Sequence, residues 1–335
     1  VDRALVFDHE RRKIWFIGFF ATEAAFRHWL QAALLRLALV GGETAAYRNL
    51  NSGSTLKNPR LRHSPSRYLE LIEVAQRHIA AGDVYQLCLT NEITAEGEAD
   101  PLEVFLRLRA LNPTPYSAYL KFGDRAVVST SPEQFLRVTA DGWVSSKPIK
   151  GTRRRDADPI KDSELAVELA ENVKERAENL MIVDLMRNDI GQVCDPVTVG
   201  VPKLFEVETY KTVHQLVSTV VGRLRDKLNV LDAVSAAFPG GSMTGAPKLR
   251  AMQLIEELEA GKRGIYSGAL GYLGIDGSAD LGMVIRTIVF EPNRVRIGIG
   301  GGITSDSVPS DELEETRIKA KALLEALGLD DPWSW

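Results

Sequence analysis

"GIYSGALGYLGIDGSADLGMVIRTIVFEPNRVRIGIGGG", residues 264–302, decides the fold class. Apolar runs alternate with the turn pairs Asp276-Gly277 and Pro292-Asn293, so the stretch reads as a three-strand antiparallel meander. Similar runs recur at "YSAYLKFG" (116–123), "RAVVSTS" (125–131), "EQFLRVTADGWVSSKPI" (133–149) and "VPKLFEVETYKTVHQLVSTVVGRL" (201–224). Helical patterns stand between these clusters and do not alternate with single strands. That excludes a doubly wound parallel sheet and points to α+β architecture with large antiparallel sheets.

Working outward, "RALVFDHERRKIWFIGFF" (3–20) reads as a hairpin with "IWFIGFF" as a buried strand, too short to span a bilayer. "RRK" before it resembles a signal peptide, but Glu23 follows soon and no clean cleavage site appears. Residues 22–39 have helical periodicity, stopped by Gly41-Gly42. Residues 48–66 are polar and rich in Ser, Asn and Pro, and read as a linker. A helix over 65–81, a strand over 84–96 and a helix capped by Asp100 follow. A single long helix is expected from Ser163 to Asn188, then helices over 229–238, after the loop "GGSMTGAPK" (240–248), and from about Ser310 to Gly328.

Among 335 residues, 44% are hydrophobic and 26% charged, as in a soluble globular protein with room for one large domain or two. A net charge of -4 excludes a general nucleic-acid binder, so an anionic ligand needs local cations, helix N-termini or a metal. Cys88 and Cys194 have no metal-ligand spacing and suit a reducing cytoplasm. The chain starts at Val1, which reads as a trimmed or partial chain.

Candidate chemistry gathers late in the chain. Glu312, Glu315 and Lys319 share one helical face, where two carboxylates can ligate a hard divalent cation and the lysine can meet an anion beside it. Glu171, Glu175 and Glu178 share a face of the long helical pattern. Glu178 borders the apolar run "LMIVDLM", where a carboxylate needs a metal or a base such as Arg187. Gly300, Gly301 and Gly302 let backbone N–H groups approach an anion, but Ile303 breaks a dinucleotide fingerprint. Arg286 is a charge inside the apolar run "MVIRTIVF", and His214 reads equally well as a core histidine. Lys150, in "KPIKGTRRR" (147–155), reads on position alone as one more surface charge. These residues define a metal-plus-anion site and no reaction.

As an ordered set, "AGDVYQLCLT", "STSPEQFLRV", "PIKGTRRR", "KERAENLMIVDLMRNDIG", "GGSMTGAPKLRAM", "YSGALGYLG", "MVIRTIVF", "IGGGITSDS" and "ELEETRIKAKAL" resemble the chorismate-utilising enzymes. These include anthranilate synthase component I, aminodeoxychorismate synthase component I, isochorismate synthase and salicylate synthase. The resemblance implies two large antiparallel sheets packed face to face with helices outside. It also implies residues 1–60 as a remnant of a longer N-terminal region, residues 61–335 as the catalytic domain, and both in one compact unit. A tryptophan pocket found in some members is then in doubt.

By the same resemblance, "PIKGT" points to aminodeoxychorismate synthase, an amination of the transaminase class on the route to p-aminobenzoate and folate. Lys150 is then the nucleophile at C2 of chorismate, its pKa expected to be lowered by burial and by the arginines beyond it. Glu133 is the acid/base at the C4 oxygen. Glu178, Glu312 and Glu315 hold Mg2+. Tyr272, Arg286, Lys319 and the amides of Gly300, Gly301 and Gly302 hold substrate carboxylates, with Thr152 beside the ring. Gln86 stands where water-using relatives have a lysine base, which argues against water as nucleophile. Ammonia is expected from a separate glutamine amidotransferase subunit. Anthranilate synthase component I, or a catalytically silent chorismate-binding subunit, is the alternative.

Overall fold

In the computed structural model, residues 2–40 and 54–333 are described. The chain divides into two compact units, Val1–Asn51 and Ser52–Trp335. In the first, strands β1 (Arg3–Asp8) and β2 (Lys13–Gly18) form the expected hairpin, and helix α1 spans Glu23–Val40. Phe16 packs edge-on against Trp29, and Phe20 and Phe26 lie against the same indole. "IWFIGFF" is a strand here but not a buried one: Trp15 is 49% exposed and Ile17 51%. The Gly41-Gly42 stop and residues 48–53 of the expected linker lie outside the described residues.

The second unit opens with strand β3 (Lys57–Leu61), helix α2 (Pro65–Ala80), strand β4 (Gln86–Glu96) and helix α3 (Pro101–Leu111). Part of the expected linker is thus a strand, paired antiparallel with β4. Strands β5 (Tyr116–Phe122), β6 (Arg125–Ser131), β7 (Gln134–Val138), β8 (Trp143–Lys147) and β9 (Ile149–Arg154) follow. Helices α4 (Pro159–Glu171) and α5 (Val173–Gly191) then lead to β10 (Gly200–Thr209), β11 (Val213–Arg223) and helix α6 (Val230–Ala237). The short strand β12 (Gly245–Ala246) precedes helix α7 (Lys248–Glu259). Strands β13 (Ala269–Leu273), β14 (Ala279–Met283), β15 (Thr287–Glu291) and β16 (Arg294–Ile303) precede helix α8 (Pro309–Leu327).

The strands build two seven-stranded antiparallel sheets. One runs β12-β4-β16-β15-β6-β5, with β3 also on β4. The other runs β10-β11-β8-β7-β14-β13, with β9 also on β11. The deciding stretch is therefore four strands and not a three-strand meander. It leaves one sheet after Met283 and enters the other at Thr287. Arg286 sits in that crossing with φ 50, outside any strand. The apolar run "MVIRTIVF" hides the break because the residues on both sides of it are buried.

The expected single helix over 163–188 is two. Asn172 adopts φ -63 and ψ 113 and its side chain accepts the Glu175 amide, which starts a new helix. The break leaves Glu171 on α4, apart from Glu178 on α5.

Helices cover the outer faces. Ile182, Met186 and Ile190 of α5 and Ala233 of α6 pack on Leu136, Val144, Val220 and Leu281. Leu108 of α3 and Ala320 and Leu324 of α8 pack on Ile93, Val128, Ile288 and Ile297. Along β4, Leu87 and Leu89 go under α2 and α7, while Cys88 joins the core of the opposite sheet. The period-2 alternation thereby turns Gln86 and Thr90 inward with Cys88. The sheets meet closely where Gly282 faces Tyr116: a Cβ there would lie 2.8 Å from the Tyr116 Cβ. No described helix is long and apolar enough to cross a membrane.

Candidate active site

Residues from both sheets converge at the end of β16. A Cβ on Gly302 would stand 2.6 Å from Gln86 Nε2 and 2.8 Å from Lys150 Nζ. A Cβ on Gly301 would stand 3.2 Å from Glu312 Oε2. Lys319 Nζ donates to the Gly300 carbonyl at 2.9 Å. The three glycines thus make room for side chains of β4, β9 and α8 around one strand. The β15–β16 register ends at Ile288–Ile297, so beyond it alternate backbone groups of β16 lack a strand partner on that side.

Lys150 is drawn in by its own strand. Gly151 has φ 81, and a Cβ there would lie 2.7 Å from Leu169 Cδ1 and 2.9 Å from Glu175 Cδ, so only glycine lets β9 approach α4 and α5. Asn179, buried on α5, donates to the Pro148 carbonyl at 3.3 Å and fixes β9 against the helix that carries Glu178. Lys150 Nζ lies 3.2 Å from Glu178 Oε2. Burial is the largest influence and pushes the Lys150 pKa down, but the charge and hydrogen bond of Glu178, with Cys88 and Glu315, together outweigh it and the net shift is upward. The expected lowered pKa is therefore corrected. The arginines beyond it do not help, because Arg153 is paired with Glu168 and Glu175, and Arg155 with Asp162.

Glu133 is 7% exposed. Burial raises its carboxyl from 4.5 to about 7, opposed by the Ser242 hydroxyl and by the charges of Lys150 and Lys319. Near neutral pH a good part of it is protonated, and it can give a proton. Gln86 is fully buried, and neither its Nε2 nor its Oε1 has a partner among the described residues. Each buried polar atom left so costs roughly 1–3 kcal/mol, which marks the amide as aimed at a ligand. Arg286, partly buried, has no carboxylate within salt-bridge distance among the described residues, and burial lowers its pKa. It is free to take a ligand anion. Thr152 is exposed and opposite Gln215, and a register shift at Lys150 and Gly151 interrupts the alternation of β9 between it and Lys150.

Tyr272 is the exception. It is 62% exposed on the edge strand β13, opposite Asp280. It lies three residues along β13 from Ala269, whose partner Met283 bonds the Glu133 carbonyl, so it is about 10 Å from that level. Tyr266 instead stands in the buried region, near enough to Arg286 for their charges to interact, and its ring fills the space over Gly298. The sequence reading chose the wrong tyrosine because "IYSGALGY" holds two. Asn179 and Lys174 were also missed, since each meets a partner distant in sequence, Pro148 and Glu312; Ser307, missed too, donates to Glu312 only five residues on. Arg187 pairs with Asp184 and not with Glu178. His214 is a satisfied core histidine between Thr209 and Asp162.

The three candidate metal carboxylates each meet a lysine. Lys174 Nζ is 4.0 Å from Glu178 Oε1 and 3.5 Å from Glu312 Oε1, and Lys319 Nζ is 2.5 Å from Glu315 Oε1. Among the described residues, no three His, Cys, Asp or Glu side chains gather closely enough to hold a metal ion as they stand. Yet they repel one another. Burial raises the Glu312 pKa, and Glu315 and Glu178 add to the rise against the Ser307 hydroxyl. For Glu315, burial pushes the pKa up, but Lys319, Lys150 and Lys174 together outweigh it and the pKa falls. Three hard oxygen donors that repel and are held by ammonium groups fit a hard divalent cation that replaces those contacts.

Residues 1–325 match the chorismate-binding enzymes, and the chain belongs to that family. It is 50% identical to aminodeoxychorismate synthase of Streptomyces pristinaespiralis over 97% of this chain and 46% of that protein. It is 40% identical to aminodeoxychorismate synthase component 1 of Klebsiella aerogenes over 97% of this chain and 69% of that one. The chain thus spans less than half the length of the Streptomyces relative. Anthranilate synthase component I of Streptococcus pneumoniae superposes with a TM-score of 0.84 at 36% identity, over 95% of this chain and 71% of that one. The menaquinone-specific isochorismate synthase of Escherichia coli shares the fold, with a TM-score of 0.71 at 23% identity, over 82% of this chain and 63% of that one.

Proposed function

We propose that the chain aminates chorismate at C4, giving 4-amino-4-deoxychorismate for p-aminobenzoate and folate, as the names of its relatives suggest. The carrying observation is that Lys150 Nζ and the partnerless Gln86 amide meet over Gly302. Lys150 as an amine adds to C2 of chorismate while both ring double bonds shift and the C4 oxygen leaves. Glu133 gives that oxygen its proton, so water departs. Ammonia then bonds to C4, the double bonds return, and Lys150 leaves C2 with its electron pair. The added ammonia gives up one proton. Arg286 and Lys319 hold the substrate carboxylates, and Tyr266, rather than Tyr272, supports Arg286.

Lys150 can attack only when neutral. Burial favours that form once the charge of Glu178 is engaged elsewhere. Mg2+ bound by Glu178, Glu312 and Glu315 would neutralise these carboxylates and attract a substrate carboxylate. Gln86 cannot take a proton, which removes the base that water would need. Ammonia comes from a glutamine amidotransferase subunit, a partner that the name "component 1" of the Klebsiella relative suggests. The two buried, unpaired cysteines suit the cytoplasm.

The test is product analysis with chorismate, ammonium and Mg2+. 4-Amino-4-deoxychorismate supports the reading. Anthranilate as main product, or no turnover, overturns it.

A further inference from the structure

The turn between β16 and α8 is tied from inside and from outside. Ser307 is 5% exposed, while Ser305 and Asp306 at the tip are in solvent. The Ser307 amide donates to the Thr304 carbonyl at 3.3 Å, and its hydroxyl oxygen accepts the Thr304 amide at 3.1 Å. Gln76 of α2 grips the same turn. Its Nε2 donates to the Ser307 carbonyl at 2.7 Å and to the Thr304 carbonyl at 3.4 Å. A serine hydroxyl has one hydrogen to give. Glu312 Oε1 takes it at 2.7 Å, while the Thr304 hydroxyl is farther off at 3.5 Å.

That bond sets how the Glu312 carboxylate lies. Glu312 is 5% exposed in the first turn of α8. With Oε1 on Ser307, Oε2 stands 3.2 Å from the place of a Cβ on Gly301, toward the strand where Gln86, Lys150 and Lys319 gather. Lys174 of α5 lies on the other flank, its Nζ 3.5 Å from Oε1. A close ammonium–carboxylate contact is shorter, about 2.7–2.9 Å. Released from Ser307, the carboxylate can turn onto Lys174 and close that gap. It would then meet a cation only by breaking a tighter ion pair, and would lose rotational freedom in doing so.

We propose that Ser307 is a positioning residue for the cation site: its hydroxyl locks the rotation of Glu312, and Gln76 holds the turn that aims the hydroxyl. The proposal rests on the reading of Glu178, Glu312 and Glu315 as ligands of Mg2+. It adds two residues that touch neither metal nor substrate, one of them on a helix that carries none of the proposed ligands.

Mg2+ alone, without chorismate, can be titrated into the full chain by calorimetry. Ser307→Ala is expected to weaken binding roughly 10–100-fold, the usual cost of losing a group that orients a metal ligand. Ser307→Thr keeps the hydroxyl and should bind as wild type does. Gln76→Ala should weaken binding in the same direction, and should add nothing in the double variant with Ser307→Ala, since it acts through Ser307. Thermal unfolding without Mg2+ separates a merely structural role, which lowers the Tm and leaves the Mg2+ affinity alone. Unchanged affinity in either alanine variant overturns the proposal, as do fully additive losses in the double variant or a Ser307→Thr protein as weak as Ser307→Ala. If Ser307→Ala does not fold, Gln76→Ala carries the test by the same rule. A wild type that binds no Mg2+, or Glu312→Gln that binds it undiminished, overturns the metal reading and the proposal together.

Discussion

The Lys150 ammonium stands 3.2 Å from the Glu178 carboxylate, across the boundary between β9 and α5. The contact joins the proposed nucleophile to a proposed metal ligand, so its charge state and the cation site are linked. A lysine on the outer surface would show no such partner at this depth.

Lys150→Ala is expected to lower kcat for the C4-aminated product on the order of 1000-fold, about 4 kcal/mol of barrier. Direct attack of ammonia at C2 remains open, so 2-amino-2-deoxyisochorismate or a little anthranilate should appear. Wild-type protein given chorismate without ammonia should carry a chorismate-derived mass on Lys150. The same product from the variant, with no adduct on the wild type, returns Lys150 to a binding role.

Glu133 sets a pH dependence with a definite sign. Its carboxyl is raised from 4.5 to about 7 in the folded protein, so the folded state holds its proton more tightly than the unfolded one. The stabilisation is complete below about 4.5 and is lost as pH rises through about 7. Urea unfolding at pH 5 and pH 8 should show a decline that Glu133→Gln lacks, on the order of 3 kcal/mol in full. An equal decline in both proteins removes the assignment.

Metal removal is expected to stop turnover, and Mg2+ to restore it. Independent of activity, Mg2+ at 100 times its Kd should stabilise the protein by about 2.7 kcal/mol. Glu312→Gln should weaken that stabilisation, since it removes one of three hard donors. Full turnover after exhaustive EDTA treatment rules out the magnesium requirement.

Gln86→Lys places a second amine against Lys150 over Gly302. Two ammonium groups cannot both stay charged there, so one becomes a base for water. Some isochorismate-type product is the expected result by mass analysis. Aminated product alone speaks against the water route.

Gly151→Ala tests how β9 is held. A residue at φ 81 with Leu169 Cδ1 at 2.7 Å is both strained and crowded. A loss of roughly 2 kcal/mol or more is expected, with lower turnover because Lys150 is the preceding residue. Wild-type stability in chemical unfolding denies the constraint.

Much of this molecule was legible in the chain. Turn pairs and clustered apolar runs settled antiparallel sheets, because period-2 alternation and turn chemistry are local. The ordered motifs settled the family and singled out Lys150, Glu133, Gln86 and the carboxylates of α8 as candidates. Tertiary structure alone decided which partners those residues meet. Lys150 carries a raised pKa because a carboxylate 28 residues later lies against it, and no local pattern encodes that pair. Tyr266 rather than Tyr272 approaches Arg286, because the chain changes sheet between Met283 and Thr287. The long helix broke at Asn172, whose side chain accepts the Glu175 amide and starts a new helix, a cap that competes with helix continuation. Periodicity reports which residues are buried; only the folded chain sets which charges share the buried space, and that sharing fixes protonation.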